Sequence, residues 1–314
     1  MKFLTALLIG TISFFNVANA HSVKEVSFDS KGKSLKGDLY LPSDFKEGQK
    51  RPGVIITGAW TTVKEQMPKT YALKMVDKGY VVLTFDFRGW GESEGENRYL
   101  ESPTRKSEDI VSAIQFFSNR PEVDSERVHG LGICASAGYM ADAYVKSQEL
   151  KSVALVAPWL HNRELVNQVY GGEQTVNNLI QVSRDAASKF QTTGELSYIQ
   201  GASTTDESSL MYRMPYYTET DRGLIPEWDN KFNLASWEGW LTYDAVKVAE
   251  GLNKEILLVH SENAMIPAGA KEFVRRSNGN AKMIMLDGVS QFDFYDNDTH
   301  VSAASQHVEE FFKN

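Results

Sequence analysis

Cysteine is nearly absent from this chain: 314 residues contain one, Cys134. A lone thiol cannot close an intrachain disulfide, so covalent staples are excluded and the thiol itself needs a reason to be there. Long hydrophobic runs are also missing. The first twenty residues, MKFLTALLIGTISFFNVANA, carry Lys2, an apolar stretch too short for a membrane span, and small residues in Ala-Asn-Ala spacing. That pattern predicts a signal peptide over residues 1–20, cleavage after Ala20, and a periplasmic or secreted mature chain without a membrane span. Positive charge is in deficit, with 33 Lys and Arg against 41 Asp and Glu, a net −8. An acidic chain without basic runs is ill suited to nucleic acid or anionic membranes. The six histidines are scattered and show no zinc spacing, so no metal is expected. The glycine-rich GWGESEG lacks the spacing of a phosphate loop, and no nucleotide or other cofactor is expected.

What is present is a rhythm of short apolar runs. Residues 23–41 read as two antiparallel strands around a turn at Lys31–Lys33. GVIITG (53–58), YVVLTF (80–85), RVHGLGI (127–133), SVALVA (152–157), EILLVH (255–260) and AKMIMLD (281–287) suit strands buried on both faces of a parallel sheet. Helical spacing fills most intervals, as in KTYALKMVDKG and SEDIVSAIQFFSN, so the fold class is α/β: a doubly wound, mostly parallel sheet in one domain over 21–314. One interval is far longer. Residues from about 159 to 251 hold Tyr170, Tyr212, Tyr216, Tyr217, Trp228, Trp237, Trp240 and Tyr243, with helical character and no clear strand. An insertion of that length predicts a cap over the site.

The stretch GLGICASAGYM (130–140) runs from strand to helix through very small residues, with Cys134 at the junction. A nucleophile on such an elbow needs small neighbours two residues before and after it; Gly132 and Ser136 satisfy this for Cys134. Ser136, flanked by Cys134 and Gly138, is an alternative nucleophile, and a purely structural junction is the third reading. The helix N-terminus would favour a thiolate. The amide of Ala135, paired with one from Ala59 or Trp60 after the first parallel strand, would form an oxyanion hole. Trp159 and Glu65 are candidates to touch substrate. Lys64, Glu65, Arg98 and Glu101 lie on loops near the expected mouth, where charges more commonly form ion pairs.

TGAWTTVKEQM (57–67), TFDFRGWGESEGENRYLE (84–101), LGICASAGY (131–139), VAPWLH (156–161) and FDFYD (292–296) together resemble the dienelactone-hydrolase-like branch of the α/β-hydrolase superfamily. The resemblance covers almost the whole mature chain. It implies the α/β-hydrolase fold, a nucleophile at Cys134, and hydrolysis of small esters or lactones. It also implies an acid after the penultimate strand and a histidine after the last, and both positions depart from the pattern. Matched from His260, the acid position is Ala264, with Glu262 two residues early; Gln291 stands where the histidine belongs. Glutamine can hydrogen-bond but cannot shuttle a proton. His161, after SVALVAPW at the same sheet edge, is the best-placed substitute base. His129 and His260 fall in strands, and His300 and His307 near the C-terminus.

These features predict an acyl hydrolase acting on a small ester, lactone or thioester through Cys134, with an atypical triad. The alternative is a weak or inactive pseudo-hydrolase that binds a small apolar ligand. A serine peptidase or esterase using Ser136 is the third reading.

Overall fold

The computed structural model describes residues 21–314, so the expected signal peptide over 1–20 lies outside the described residues. Eight strands form one sheet: β1 (Ser22–Ser30), β2 (Lys33–Leu41), β3 (Arg51–Thr57), β4 (Val81–Phe85), β5 (Val123–Ile133), β6 (Ser152–Val156), β7 (Ile256–His260) and β8 (Ala281–Met285). Their spatial order is β1-β2-β4-β3-β5-β6-β7-β8. The β1–β2 hairpin and the β2–β4 pair are antiparallel, and every other pairing is parallel.

Burial follows position in the sheet. β4 and β7 are buried along their whole length, as expected of apolar strands covered on both faces. The edges differ: β1 exposes most of its residues, including Lys24 and Glu25, and charge on an edge discourages pairing with other chains. β5 starts at Val123, four residues before its apolar run, and its pairing with β3 shifts register between Arg51 and Gly53. Helices α1 (Met67–Asp77) with α10 (Asp298–Phe312), and α2 (Pro103–Ser118) with α3 (Ser136–Lys146), pack as pairs against the sheet. Ser102 caps α2 by accepting from the Arg105 amide, and Pro103 opens the helix where no intrahelical donor is needed.

The long interval between β6 and β7 contains α4 (Arg163–Val169), α5 (Glu173–Thr193), α6 (Pro215–Thr218), α7 (Ser236–Leu241) and a 3₁₀ turn at Val246–Gly251. It also contains strands, where the sequence showed none. Tyr198–Gln200 pairs with Lys231–Asn233, and Ala202–Ser203 with Met211–Tyr212. Strands of two or three residues are too short to display a period of two. The remaining helices, α8 (Pro267–Arg276) and α9 (Asp293–Asp296), follow β7 and β8. Among the described residues no helix is long and apolar enough to cross a membrane.

Candidate active site

Backbone strain concentrates at the carboxyl ends of the parallel strands. Thr61, Cys134, Ala157 and Ile266 follow β3, β5, β6 and β7 in turn, with φ of 64°, 56°, 45° and 43°. Left-handed conformations cost an L-residue about 1–2 kcal/mol each, and Thr and Ile are β-branched, so four in one region indicate a demanded geometry. At the β5–α3 elbow the small neighbours are required. A Cβ on Gly132 would come within 2.7 Å of the Ser136 carbonyl oxygen and 2.9 Å of Ala137 Cα. The Cys134 amide donates to Val156 O (3.1 Å), and the Trp159 and Ala137 amides donate to Cys134 O (2.9 and 3.1 Å). The backbone of the elbow is thereby fixed on three sides.

The Cys134 sulfur has four polar neighbours that favour its thiolate: the Tyr295 hydroxyl, the backbone amides of Trp60 and Ala135, and the Gln291 side chain. Burial outweighs them and pushes the thiol above its ordinary pKa. The expected depression by the helix N-terminus is therefore corrected: the thiol is only 6% exposed, and desolvation wins. Of the two oxyanion candidates after β3, Trp60 presents its amide to the site, whereas the Ala59 amide is directed at Met67 Sδ (3.4 Å).

Gln291 is buried and tied at both ends. Its Oε1 accepts from the Met265 amide (3.0 Å), and its Nε2 donates to Ala157 O and to Tyr295 Oη (both 2.9 Å). Tyr295, four residues on, is thus held against the sulfur. Its hydroxyl also meets Tyr217, and burial raises both phenols well above their ordinary pKa. Sequence named Tyr217 only as one of the insertion's aromatics and did not name Tyr295, although the Gln291 to Tyr295 spacing places two polar groups one helical turn apart.

Other candidates lie elsewhere. Glu262 is 61% exposed and pairs with Lys271 (2.6 Å), while Gln291 has Met265, Ala157 and Tyr295 as partners, so Glu262 is no orienting acid. His161 is buried; its Nδ1 accepts from Trp159 Nε1 and its Nε2 donates to Trp240 O (both 3.0 Å). With both nitrogens engaged and its pKa pushed down to about 4 by burial, it cannot serve as base to Cys134. Ser136 is fully buried and absent from the cavity wall, which removes it as nucleophile. Glu65 joins Asp86 and Glu92 around the Lys64 ammonium in a separate acid-lined depression and does not face the thiol. Arg98 reaches Gly91 O, Ser93 O and Asp229. Glu101 is fully buried and accepts from Lys106 Nζ (2.8 Å), Tyr139 Oη (2.8 Å) and the Thr61 amide (3.0 Å). His129 bonds Ser152 Oγ (2.8 Å), His260 is buried at the end of β7, and His300 and His307 lie half-exposed on α10.

Cys134 lies at a cavity of about 320 Å³. Sheet-edge residues Trp60, Ala135, Met265, Gln291, Phe292 and Tyr295 form part of its wall, and Trp159, Val169, Tyr170, Leu210, Met211, Met214, Tyr217 and Trp240 of the long insertion form the rest. Trp159, a candidate to touch substrate, is part of that wall. The insertion grips the loop that carries the Trp60 amide: Trp240 stacks on the Trp60 ring (4.9 Å, 22°) and Trp228 Nε1 donates to Thr61 O (2.8 Å).

A mostly parallel eight-stranded sheet, with a strained nucleophile-type elbow at the carboxyl end of β5 and converging amides beside it, defines an α/β hydrolase. Within that superfamily the chain belongs to the X-Pro dipeptidyl-peptidase (S15) family, whose model matches residues 31–287. The narrower likeness to the dienelactone-hydrolase-like branch rests on the sequence motifs alone. The chain is 27% identical to the uncharacterized protein YcjY of Escherichia coli strain K12, over 89% of this chain and 94% of that one. The crystal structure of hypothetical protein PA2218 from Pseudomonas aeruginosa superposes with a TM-score of 0.80 at 24% identity, covering 98% of this chain and 99% of the other. The α/β hydrolase GrgF from Penicillium sp. sh18 gives a TM-score of 0.77 at 18% identity, over 93% and 98% of the two chains.

Proposed function

We propose that this α/β hydrolase is an exported cysteine acyl hydrolase that takes uncharged, apolar esters or thioesters with good leaving groups. The observation that carries the reading is Cys134 on a strained elbow, beside the amides of Trp60 and Ala135, in a cavity whose wall, among the described residues, holds no Asp, Glu, Lys, Arg or His. The sulfur attacks the acyl carbon while the two amides and the Tyr295 hydroxyl favour the negative charge that develops. The leaving group departs with its electron pair, the thiol proton passes to it or to water, and a thioester to Cys134 remains. Water then cleaves that thioester to the free acid and regenerates the thiol.

General-base assistance is worth about 10²–10⁴ in rate, and Gln291 cannot provide it. The second step suffers more than the first, because a thiol is intrinsically nucleophilic and water is not. The acyl-enzyme therefore accumulates. Cleavage of a dipeptide from a free amino terminus fits this site poorly, since the ammonium would enter a cavity without a carboxylate and the amine would leave without a general acid. The insertion from about 159 to 251 acts as the cap that keeps the acyl chain from water.

The test is incubation of the purified mature chain with thiophenyl hexanoate, followed by intact-mass measurement and release kinetics. We expect a burst of about one equivalent of thiophenol, an acyl adduct mapped to Cys134, and loss of both in Cys134→Ala. Binding of the ester without an adduct would favour the pseudo-hydrolase. Export is checked separately by whether the secreted protein begins at His21.

A further inference from the structure

We propose that Tyr170 is a specificity-determining hydrogen-bond donor, and that the preferred acyl chain is uncharged but carries an oxygen acceptor. This rests on the acylation of Cys134 argued above. Three tyrosine hydroxyls belong to residues of the cavity wall, Tyr170, Tyr217 and Tyr295. Two are committed to the thiol: Tyr295 accepts from Gln291 and meets the sulfur, and Tyr217 meets Tyr295. Tyr170 differs. Its oxygen accepts from Trp240 Nε1 at 2.7 Å, and among the described residues its own proton has no acceptor.

The hydroxyl is also well fixed. Tyr170 closes α4, where its amide donates to Val166 O (2.9 Å), and its ring packs edge-on against Trp237 (5.7 Å, 78°). The Trp240 indole orients the phenol oxygen, and Trp240 is itself stacked on Trp60 of the oxyanion loop. Trp60 Nε1 of the same wall is likewise buried without a partner among the described residues, but its N–H is fixed in the ring plane, whereas the Tyr170 hydroxyl can turn its proton toward a ligand. An unpaired donor in a mostly apolar wall is unfavourable, so an acyl chain that presents an ether, keto or hydroxyl oxygen at Tyr170 is favoured over its all-carbon analogue. A charged chain gains nothing, because no ionised partner lines the wall. A neutral hydrogen bond of this kind corresponds to a preference of roughly three- to tenfold.

The experiment is an oxygen scan. Thiophenyl esters of hexanoic-length acids are prepared with a single ether oxygen at successive chain positions, alongside the all-carbon ester. Acylation of the full mature protein is followed by intact mass, and each rate is divided by that ester's rate with N-acetylcysteine to remove intrinsic reactivity. Wild type should prefer at least one oxygen position three- to tenfold, and in Tyr170→Phe that preference should fall to within twofold, whatever happens to the absolute rates. A flat series in wild type, or a preference that survives Tyr170→Phe, overturns the inference. Should Tyr170→Phe fail to fold, Tyr217→Phe and Trp60→Phe, which keeps the residue 60 amide, supply the contrast: a preference retained in both supports Tyr170, and one lost in either assigns the donor elsewhere and overturns it. Cys134→Ala separates the two readings. An adduct that persists without Cys134 sinks the nucleophile, whereas a Cys134-dependent adduct with a flat series sinks only the role of Tyr170.

Discussion

Gln291 stands where the resemblance in the sequence places a histidine, and its surroundings show why one substitution will not supply an imidazole base. The Met265 amide donates to Gln291 Oε1, so an imidazole placed there would meet a donor where a triad histidine needs an acceptor. The nitrogen facing Met265 would be unprotonated, the proton would sit on the nitrogen facing the thiol, and that tautomer cannot remove a proton. Ala264, where the resemblance places an acid, is 8% exposed and lies beside Met265. Gln291→His alone is therefore expected to raise thioester turnover by less than about tenfold. Combined with Ala264→Asp, a gain in the range of about 10²–10⁴ is expected, measured as steady-state release after the burst. Equal rates for the single and double variants would show that deacylation is not limited by a missing base. The thiol supplies a second test at this scale. Because burial holds Cys134 above the ordinary thiol pKa, its alkylation by iodoacetamide should keep accelerating with pH beyond the midpoint of free cysteine.

Between the elements of the site runs one buried ion pair that the mechanism needs only indirectly. Glu101 joins the loop after β3 through the Thr61 amide, α3 through Tyr139 and α2 through Lys106, while its own amide donates to Ser236 Oγ of α7 (2.9 Å). Lys106 lies 4.7 and 4.8 Å from the ring centroids of Phe87 and Trp90, so its charge is sealed among aromatics. Removing one partner of such a pair leaves an uncompensated buried charge, which costs about 3–5 kcal/mol. Glu101→Ala should lose stability on that scale in urea unfolding, while Glu262→Ala, on the exposed pair with Lys271, should stay within about 0.5 kcal/mol. The contrast also marks what sequence could reveal. The strands and the elbow were legible because each is local: an apolar run, and small residues around one thiol. The roles of Glu101, Tyr170 and Tyr295 were not: Thr61 and Tyr139 lie 40 and 38 positions from Glu101, Trp240 lies 70 from Tyr170, and the thiol that Tyr295 meets is carried by a different strand end. Loop charges read identically in sequence whether they end in solvent, as Glu262 does, or in the core, as Glu101 does.

Across the whole molecule, three histidines are carried into the interior as neutral groups. His129, His161 and His260 are each at most 2% exposed, and burial pushes their pKa values down to about 3, 4 and 4. In the unfolded chain they titrate near 6.5. As pH falls through 6.5 the unfolded state takes up protons that the folded state refuses, so stability is lost from there down to about pH 4. Each such histidine contributes up to about 1.4 kcal/mol per pH unit in that window. Buried carboxylates act on the same slope, and Asp86, which burial pushes up to about 6, opposes it. A difference between two proteins isolates one histidine. His260 is the informative choice, because its ring is fully buried at the end of β7 and, among the described residues, only the Met265 backbone is placed to hydrogen-bond it, outside normal hydrogen-bond geometry. Replacing it by an apolar side chain of similar size removes a poorly satisfied buried imidazole and one refused proton together. His260→Leu should therefore raise Tm above wild type, and the difference should be larger at pH 5 than at pH 8. An equal difference at both values would mean that the His260 pKa is not depressed by folding. A lower Tm at both would mean that the imidazole has a partner and holds the β7 loop in place.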